Sequence, residues 1–156
     1  MIAFYPMKII FLDIDGVLNN KWFFEKREPD APEFGEHDID IENIYYLNRL
    51  VKETGALLVI SSSWRNGYPL TDIQRFLEKN GFKYPERVIG TTMSDTKLVR
   101  GGEIKKWLDL TGVEKFVILD DDSDMGEVID NLVQTQYEDG LTSVEMFKAI
   151  EILGKE

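Results

Sequence analysis

Hydrophobic residues occur along the chain in short continuous runs, separated by longer segments of helical periodicity. The runs cover residues 8–12, 56–60, 87–89, 115–119 and 132–135. A run without polar alternation is typical of a strand that is buried on both faces, as in a parallel sheet covered by helices. Because such strands alternate here with helical segments, the pattern predicts an α/β fold. We therefore expect a three-layer α/β/α sandwich around a five-stranded parallel sheet.

The segments between the runs carry apolar residues at spacings of three and four, the pattern of an amphipathic helix. It occurs within residues 41–51, 70–77, 104–108 and 144–153. Gly55 follows the first of these segments and Asn80-Gly81 follows the second, and such residues end helices. Thr142, with Glu145 three residues later, predicts a capping box at the start of the last helix.

Residues 19–38 do not follow this alternation. The segment is irregular and carries three consecutive aromatic residues, Trp22, Phe23 and Phe24. It is too short to form a cap domain and too aromatic to be a disordered linker. Two interpretations stay open: a flap-like insertion that covers a functional site, or aromatic side chains that close one edge of the core.

Composition limits the class of protein. The 156 residues are expected to form one domain, and because none is cysteine, disulfides and thiolate metal sites are excluded. Acidic residues outnumber basic ones by 29 to 18, which gives a formal net charge of -11. This charge argues against extended binding to duplex nucleic acid, although a local basic pocket can still bind one phosphorylated end. The oligomeric state does not follow from composition.

The sequence gives no sign of export or of membrane insertion. Residues 1–7 are too short for a signal peptide and are interrupted by Pro6. Every apolar run falls short of the ~20 residues of a membrane span. We expect a cytoplasmic protein without membrane contact.

Polar residues follow three of the predicted strands. The first run ends at Asp13, the second at Ser61 and the fourth at Asp120. In an open α/β sheet the carboxyl ends of parallel strands form the edge at which ligands bind. We therefore expect these three side chains to lie together.

Carboxylates are concentrated at two of these strand ends. Asp13 and Asp15 are two residues apart, and Asp120-Asp121-Asp122-Ser123-Asp124 follows the fourth strand. Neighbouring buried carboxylates are costly to desolvate unless a cation or a proton compensates their charge. Mg²⁺, which prefers oxygen ligands, is the simplest explanation.

These positions resemble, in order along nearly the whole chain, the four motifs of the haloacid dehalogenase (HAD) superfamily. Asp13-Ile14-Asp15-Gly16-Val17-Leu18-Asn19 is similar to the first motif, Ser61 to the second and the Asp120 cluster to the fourth. Arg100 matches the third motif, where the family more often has lysine, so Lys97 is an alternative. The resemblance implies a Rossmann-like HAD fold, here without a large cap domain.

The resemblance also implies roles for these residues. Asp13 would be the nucleophile that forms an aspartyl-phosphate, and Asp15 would act as general acid and base. Ser61 would donate a hydrogen bond to the phosphoryl group, and Arg100 would neutralise its charge. Mg²⁺ would be held by four residues, with Asp124 as a possible further ligand: Asp13, the main-chain carbonyl of Asp15, Asp120 and Asp121.

Further positions are similar to those of compact HAD domains, some of which occur in nucleic-acid repair proteins. Ser62, Arg65 and Lys97 are expected to contact substrate, Arg65 through a second phosphate. Trp64 or Trp22 could stack on a base. The alternative for Trp64 is core packing, and the alternative for Arg65 is a surface ion pair.

The sequence therefore predicts a Mg²⁺-dependent phosphomonoesterase. Its substrate would be a small phosphorylated molecule, a nucleotide or a nucleic-acid end. Two alternatives are a HAD-like domain that binds without turnover and a receiver-like signalling domain. The order of the motifs disfavours the receiver, because its nucleophile normally lies on a middle strand. His37, the single histidine, is expected to be exposed and without a catalytic role.

Overall fold

In residues 7–32 and 35–156, which the computed structural model describes, five parallel strands form one sheet in the order β3-β2-β1-β4-β5. The strands are β1 (Lys8–Leu12), β2 (Leu57–Ile60), β3 (Val88–Thr91), β4 (Lys115–Asp120) and β5 (Leu132–Gln134). Each lies within two residues of its predicted bounds. The chain builds outward from β1 through β2 to β3, then crosses to the other side for β4 and β5. The switch point of the sheet therefore lies between β1 and β4.

The α-helices are α1 (Lys21–Glu25), α2 (Ile41–Thr54), α3 (Leu70–Lys79), α4 (Arg100–Thr111) and α5 (Ser143–Leu153). Short 3₁₀ helices at 35–38, 63–66, 85–87 and 126–131 connect them. None of the helices in the described ranges is long and apolar enough to cross a membrane. The prediction that residues 1–7 do not form a signal peptide concerns residues that lie almost entirely outside the described part of the chain.

Two hydrophobic cores lie on opposite faces of the sheet, which gives the three predicted layers. Ile10 and Leu12 of β1 face a core that α2, α3 and α5 complete. Ile9 and Phe11, on the other face of the same strand, pack in a second core with α4 and the segment around Met125. Successive residues of β1 face opposite sides of the sheet, and a core covers each side. Its sequence is therefore apolar from Ile9 to Leu12 without interruption.

The helix ends follow from local hydrogen bonding. The Asp40 side chain accepts from the amide of Glu42 at the start of α2, and Gly55 ends that helix with φ of 70°. Thr142 and Glu145 form the predicted capping box at the start of α5. These caps fix where each helix meets the sheet.

The irregular segment 19–38 contains α1, a five-residue helix that the periodicity did not predict. Asn20 caps it by accepting a hydrogen bond from the amide of Phe23. All of its residues are at least partly exposed, and Trp22 is largely exposed. This exposure argues against the interpretation that the aromatic residues close the core.

Candidate active site

The backbone ladder of the sheet continues past the strand ends and brings the predicted residues to one edge. The amide of Asp13 donates to the carbonyl of Leu119 at 3.0 Å, and the amide of Ser61 donates to the carbonyl of Leu12 at 2.8 Å. Asp120 is the last residue of β4, beside Asp13 across the switch point. Ligands of open α/β sheets bind at this position.

Three carboxylates meet at the switch point. Asp13 and Asp120 are buried and Asp121 is partly exposed, and one carboxylate oxygen from each lies within 4.8 Å of the others. Gly16 lets Asp121 approach, because a Cβ at this position would lie 2.2 Å from Oδ2 of Asp121. The side chain of Asp124 is exposed, and among the described residues it is not part of this cluster.

Burial raises the pKa values of the three carboxyl groups, and repulsion between neighbouring carboxylates adds to the effect at Asp120. Burial raises the pKa of Asp13 to about 6, although the nearby charge of Arg100 lowers it. Burial, followed by the charge of Asp13, raises the pKa of Asp120 to about 8. The pKa of Asp121 is also raised, mainly by burial. Such a set of oxygen ligands fits a hard divalent cation, because the cation would compensate the burial of the negative charges and their repulsion.

Arg100, the first residue of α4, lies at this site. Its guanidinium donates to the main-chain carbonyl of Ser61, and its positive charge acts on both Asp13 and Asp120. Lys97 lies in the loop before α4 with an exposed side chain. Of the two candidates for the third motif, Arg100 is the one whose positive charge acts on the cluster.

Asp15 is exposed, and two side chains hold its carboxylate. The amide nitrogen Nδ2 of Asn19 donates to Oδ1 at 2.9 Å, and the indole N–H of Trp64 donates to Oδ2 at 3.2 Å. Asn19 is fully buried and also accepts from the amide of Gly16 at 2.8 Å. These hydrogen bonds fix the Asp15 side chain and the turn at Gly16.

Two buried hydroxyl groups at the ends of β2 and β3 have no hydrogen-bond partner within the described part of the chain. They are Oγ of Ser61 and Oγ1 of Thr92. Buried hydroxyl groups are normally satisfied, so each of these is a candidate donor to a bound anion. The neighbouring Ser62 accepts from the amide of Trp64 at 3.2 Å, and its hydroxyl helps to lower the pKa of Asp13.

Arg65 forms a buried ion pair with Glu103 of α4. Its Nη2 donates to both carboxylate oxygens at 2.9 and 2.8 Å, and the two side chains are only 6% and 7% exposed. The expectation of a surface ion pair is therefore wrong. Nη1 donates to the carbonyl of Ser62 at 2.7 Å. Contact of Arg65 with a second phosphate stays a prediction.

Sequence reasoning missed several residues of the site. Asn19 belongs to the first motif but received no role, although a polar residue four positions after Asp15 is a usable signal. The partners of Trp64 and Arg65 come from distant parts of the chain. His37 is exposed, as expected, and lies 3.9 Å from a carboxylate oxygen of Glu36.

Comparison with known proteins agrees with this geometry. Residues 9–146 match a family model described as the HAD domain in Swiss Army Knife RNA repair proteins. No curated protein gives a match to the chain. The match begins at the second residue of β1, covers the other four strands in full and includes every residue of the carboxylate cluster.

Proposed function

Because the chain belongs to the family of HAD domains in Swiss Army Knife RNA repair proteins, we propose that it is a Mg²⁺-dependent phosphatase. It hydrolyses a phosphate monoester of a nucleotide or of a nucleic-acid end through an aspartyl-phosphate on Asp13. The observation that carries this proposal is the group of three carboxylates within 4.8 Å at the switch point of the sheet.

The donor set supports Mg²⁺ as the metal. Asp13, Asp120 and Asp121 offer only oxygen atoms, and the chain has no cysteine. When bound, Mg²⁺ would neutralise negative charge on the carboxylates and on the phosphoryl oxygens. The main-chain carbonyl of Asp15 is proposed as a further ligand, as in the first motif of the superfamily.

In the first step a carboxylate oxygen of Asp13 attacks phosphorus and forms the aspartyl-phosphate. The ester P–O bond breaks, and Asp15, entering the step protonated, gives its proton to the leaving oxygen. The substrate alcohol departs. Asn19 and Trp64 support this role because they hold the Asp15 carboxylate in one orientation.

In the second step water attacks the phosphorus of the aspartyl-phosphate. Asp15, now a carboxylate, accepts a proton from this water, and the bond between phosphorus and the Asp13 oxygen breaks. Inorganic phosphate leaves, and both aspartates return to their starting state. One residue can serve both steps because its protonation alternates between them.

Arg100 and Ser61 would stabilise charge on the transferring group. Arg100 provides a fixed positive charge at the site, and the buried Ser61 hydroxyl has no competing partner in the described ranges. Donors that are already oriented stabilise a transition state without the cost of reorganisation. Ser62 and Lys97 are proposed as weaker contacts to the substrate.

The proposal is tested by a Mg²⁺ phosphatase screen against sugar phosphates, nucleotides, and oligonucleotides phosphorylated at the 5′ or 3′ end. Asp13→Asn should abolish turnover of the best substrate. Asp130→Asn, which removes an exposed carboxylate of the 126–131 helix, is the matched control and should keep full activity.

Equal activity of Asp13→Asn and the parent would overturn the nucleophile assignment. Binding of Mg²⁺ without turnover of any substrate would favour a HAD domain that binds a phosphorylated partner. Phosphatase activity and Mg²⁺ binding are both measured on the same protein preparations.

A further inference from the structure

A cavity of about 490 Å³ opens beside Asp15. It lies between the segment 19–38 and the loop after β2. Its walls include three aromatic side chains, one ion pair and the carboxylate of Asp15, and we call it the Asp15 cavity. The residues that line it include Asp15, Phe24, Arg27, Asp38, Trp64, Gly67 and Tyr68.

The position of Asp15 determines what this cavity can hold. A general acid must be within hydrogen-bond reach of the leaving oxygen. The group attached to that oxygen therefore extends from Asp15 and away from the nucleophile Asp13. Asp15 lines the Asp15 cavity and Asp13 does not, so this cavity is the space available to the alcohol part of the phosphate ester.

The aromatic walls are held in place by their neighbours. Tyr68 packs against Phe76 with ring centroids 5.0 Å apart and an interplanar angle of 90°. Trp64 lies 5.8 Å from the Tyr68 ring and is further fixed by its hydrogen bond to Asp15. Phe24 of α1 adds a third ring. Rigid aromatic faces bind planar groups by stacking at little cost in conformational entropy.

Opposite charges pair in the wall away from Asp15, which therefore offers donors and acceptors but no net charge. Arg27 pairs with the buried Asp38 carboxylate and also donates to the carbonyl of Pro32. A second phosphate would need an unpaired cation at this position, and the cavity has none among its described residues. A neutral planar group with hydrogen-bonding edges suits the Asp15 cavity better.

We propose that the Asp15 cavity binds the base of the nucleoside from which the phosphate is removed. This inference rests on the proposed phosphatase function and narrows its substrate to esters of nucleosides, excluding sugar and polyol phosphates that lack a base. Phe24, Trp64 and Tyr68 contact the base. The Arg27–Asp38 pair meets the edge of the base or the ribose hydroxyl groups.

A second cavity, of about 530 Å³, lies on the other side of α1 and is the rival location for a base. It includes Trp22, Phe23 and Tyr46. Asp15 does not line it, so a base bound there would not be connected to the leaving oxygen held by Asp15.

The first experiment compares matched esters with and without a base. Adenosine 5′-monophosphate is paired with ribose 5-phosphate, and a 3′-phosphorylated oligoribonucleotide with the same oligonucleotide ending in an abasic residue. The base should raise kcat/KM by about 5- to 100-fold in at least one pair. The two pairs distinguish a free nucleotide from an RNA end.

Phe24→Leu should reduce this preference by about fivefold or more, because it keeps apolar volume but removes the ring. Phe147→Leu, at an exposed position of α5, is the matched control and should keep the preference. Trp22→Leu reports on the second cavity. No preference for the base in either pair, or loss of the preference only in Trp22→Leu, would overturn the proposal.

The second experiment measures binding without turnover. Adenosine is titrated into Asp13→Asn, and amide chemical shifts are followed by NMR. Shift changes should concentrate at Phe24, Gly67 and Tyr68, with ribose alone giving none. Changes around Tyr46, or no change, contradict the proposal. A protein that binds adenosine in the Asp15 cavity but hydrolyses no phosphate refutes the phosphatase function and leaves the base site standing.

Discussion

The indole N–H of Trp64 donates a hydrogen bond of 3.2 Å to Oδ2 of Asp15, across 49 positions of the sequence. Trp64 lies in the short helix after β2, whereas Asp15 follows β1, so the bond links the first and second motifs. Because parallel strands β1 and β2 are neighbours, their carboxyl ends bring these two residues together. Trp64 is therefore a positioning residue for the proposed general acid.

Trp64→Phe removes the hydrogen bond and keeps most of the ring packing against Tyr68. With an alkyl phosphate, whose leaving oxygen needs a proton, we expect kcat to fall about 3- to 10-fold. With 4-nitrophenyl phosphate, whose leaving group needs little protonation, the loss should be smaller. Steady-state kinetics with both substrates measure this. An equal loss with the two substrates would indicate a merely structural role for Trp64.

Asp15→Asn should separate the two chemical steps. Hydrolysis of an alkyl phosphate should fall by about 10²- to 10⁴-fold, because the leaving oxygen is no longer protonated. With 4-nitrophenyl phosphate, Asp13 can still be phosphorylated, but attack by water on the intermediate lacks its base. Stopped-flow absorbance should show a burst of up to one nitrophenolate per chain. Asp13→Asn is the control and should give no burst; the assignment of Asp15 fails if its own variant gives none.

The sheet and the edge that carries the candidate site could be predicted because they depend on local patterns. A buried parallel strand must be apolar throughout, so β1 and β4 stand out, and a polar residue marks each carboxyl end. The parallel arrangement then brings Asp13, Ser61 and Asp120 together without further information. The capping box of α5 was predictable for the same reason.

Contacts that depend on tertiary packing could not be predicted. The ion pair of Arg65 with Glu103 joins the loop after β2 to α4 and places both charges in the interior, where sequence patterns indicate a surface. The helix α1 has only five residues, too few to establish a period, and its Asn20 cap was the one available signal. That the charge of Arg100 acts on the carboxylates likewise depends on the position of the start of α4.

Breaking the buried pair should destabilise the protein. Glu103→Gln leaves the Arg65 guanidinium buried without a counter-charge, and we expect a loss of about 3 kcal/mol in the free energy of unfolding. Arg65→Met combined with Glu103→Leu should be more stable than Glu103→Gln, since neither buried charge is left. Urea denaturation measures the free energy of unfolding of the parent, of Glu103→Gln and of the double variant. Asp109→Asn, which breaks the exposed pair with Lys105, is the control and should have no measurable effect.

The metal-free protein should lose stability as pH rises from about 4 to about 8. The pKa of Asp13 is raised to about 6 and that of Asp120 to about 8, against about 3.9 in an unfolded chain. In this range the folded state binds more protons than the unfolded state, so deprotonation favours unfolding. The loss begins near pH 4, where these carboxyl groups ionise in the unfolded chain, and levels off about one pH unit above 8, where they are ionised in the folded state as well.

Thermal unfolding in a chelator, followed over this pH range, measures the effect. Asp120→Asn should flatten the pH dependence and raise Tm at pH 8, because it removes the carboxylate with the larger shift. Mg²⁺ should stabilise the parent most at pH 8, where the site is most fully ionised, and Asp120→Asn much less. A parent protein whose Tm rises between pH 5 and pH 8 in chelator contradicts this account of the cluster.

Gly16→Ala should weaken metal binding without changing any ligand. Gly16 has φ of 79°, a conformation that strains other residues, and a Cβ there would lie 2.2 Å from Oδ2 of Asp121. The methyl group must therefore displace the Asp121 carboxylate from the cluster. Calorimetric titration should show Mg²⁺ affinity reduced by about tenfold or more. Gly112→Ala separates displacement from strain, because Gly112 has φ of 73° but open space around it. It should lose stability and keep Mg²⁺ affinity, and an equal loss of affinity in both variants would assign the loss to backbone strain and contradict displacement of Asp121 as its cause.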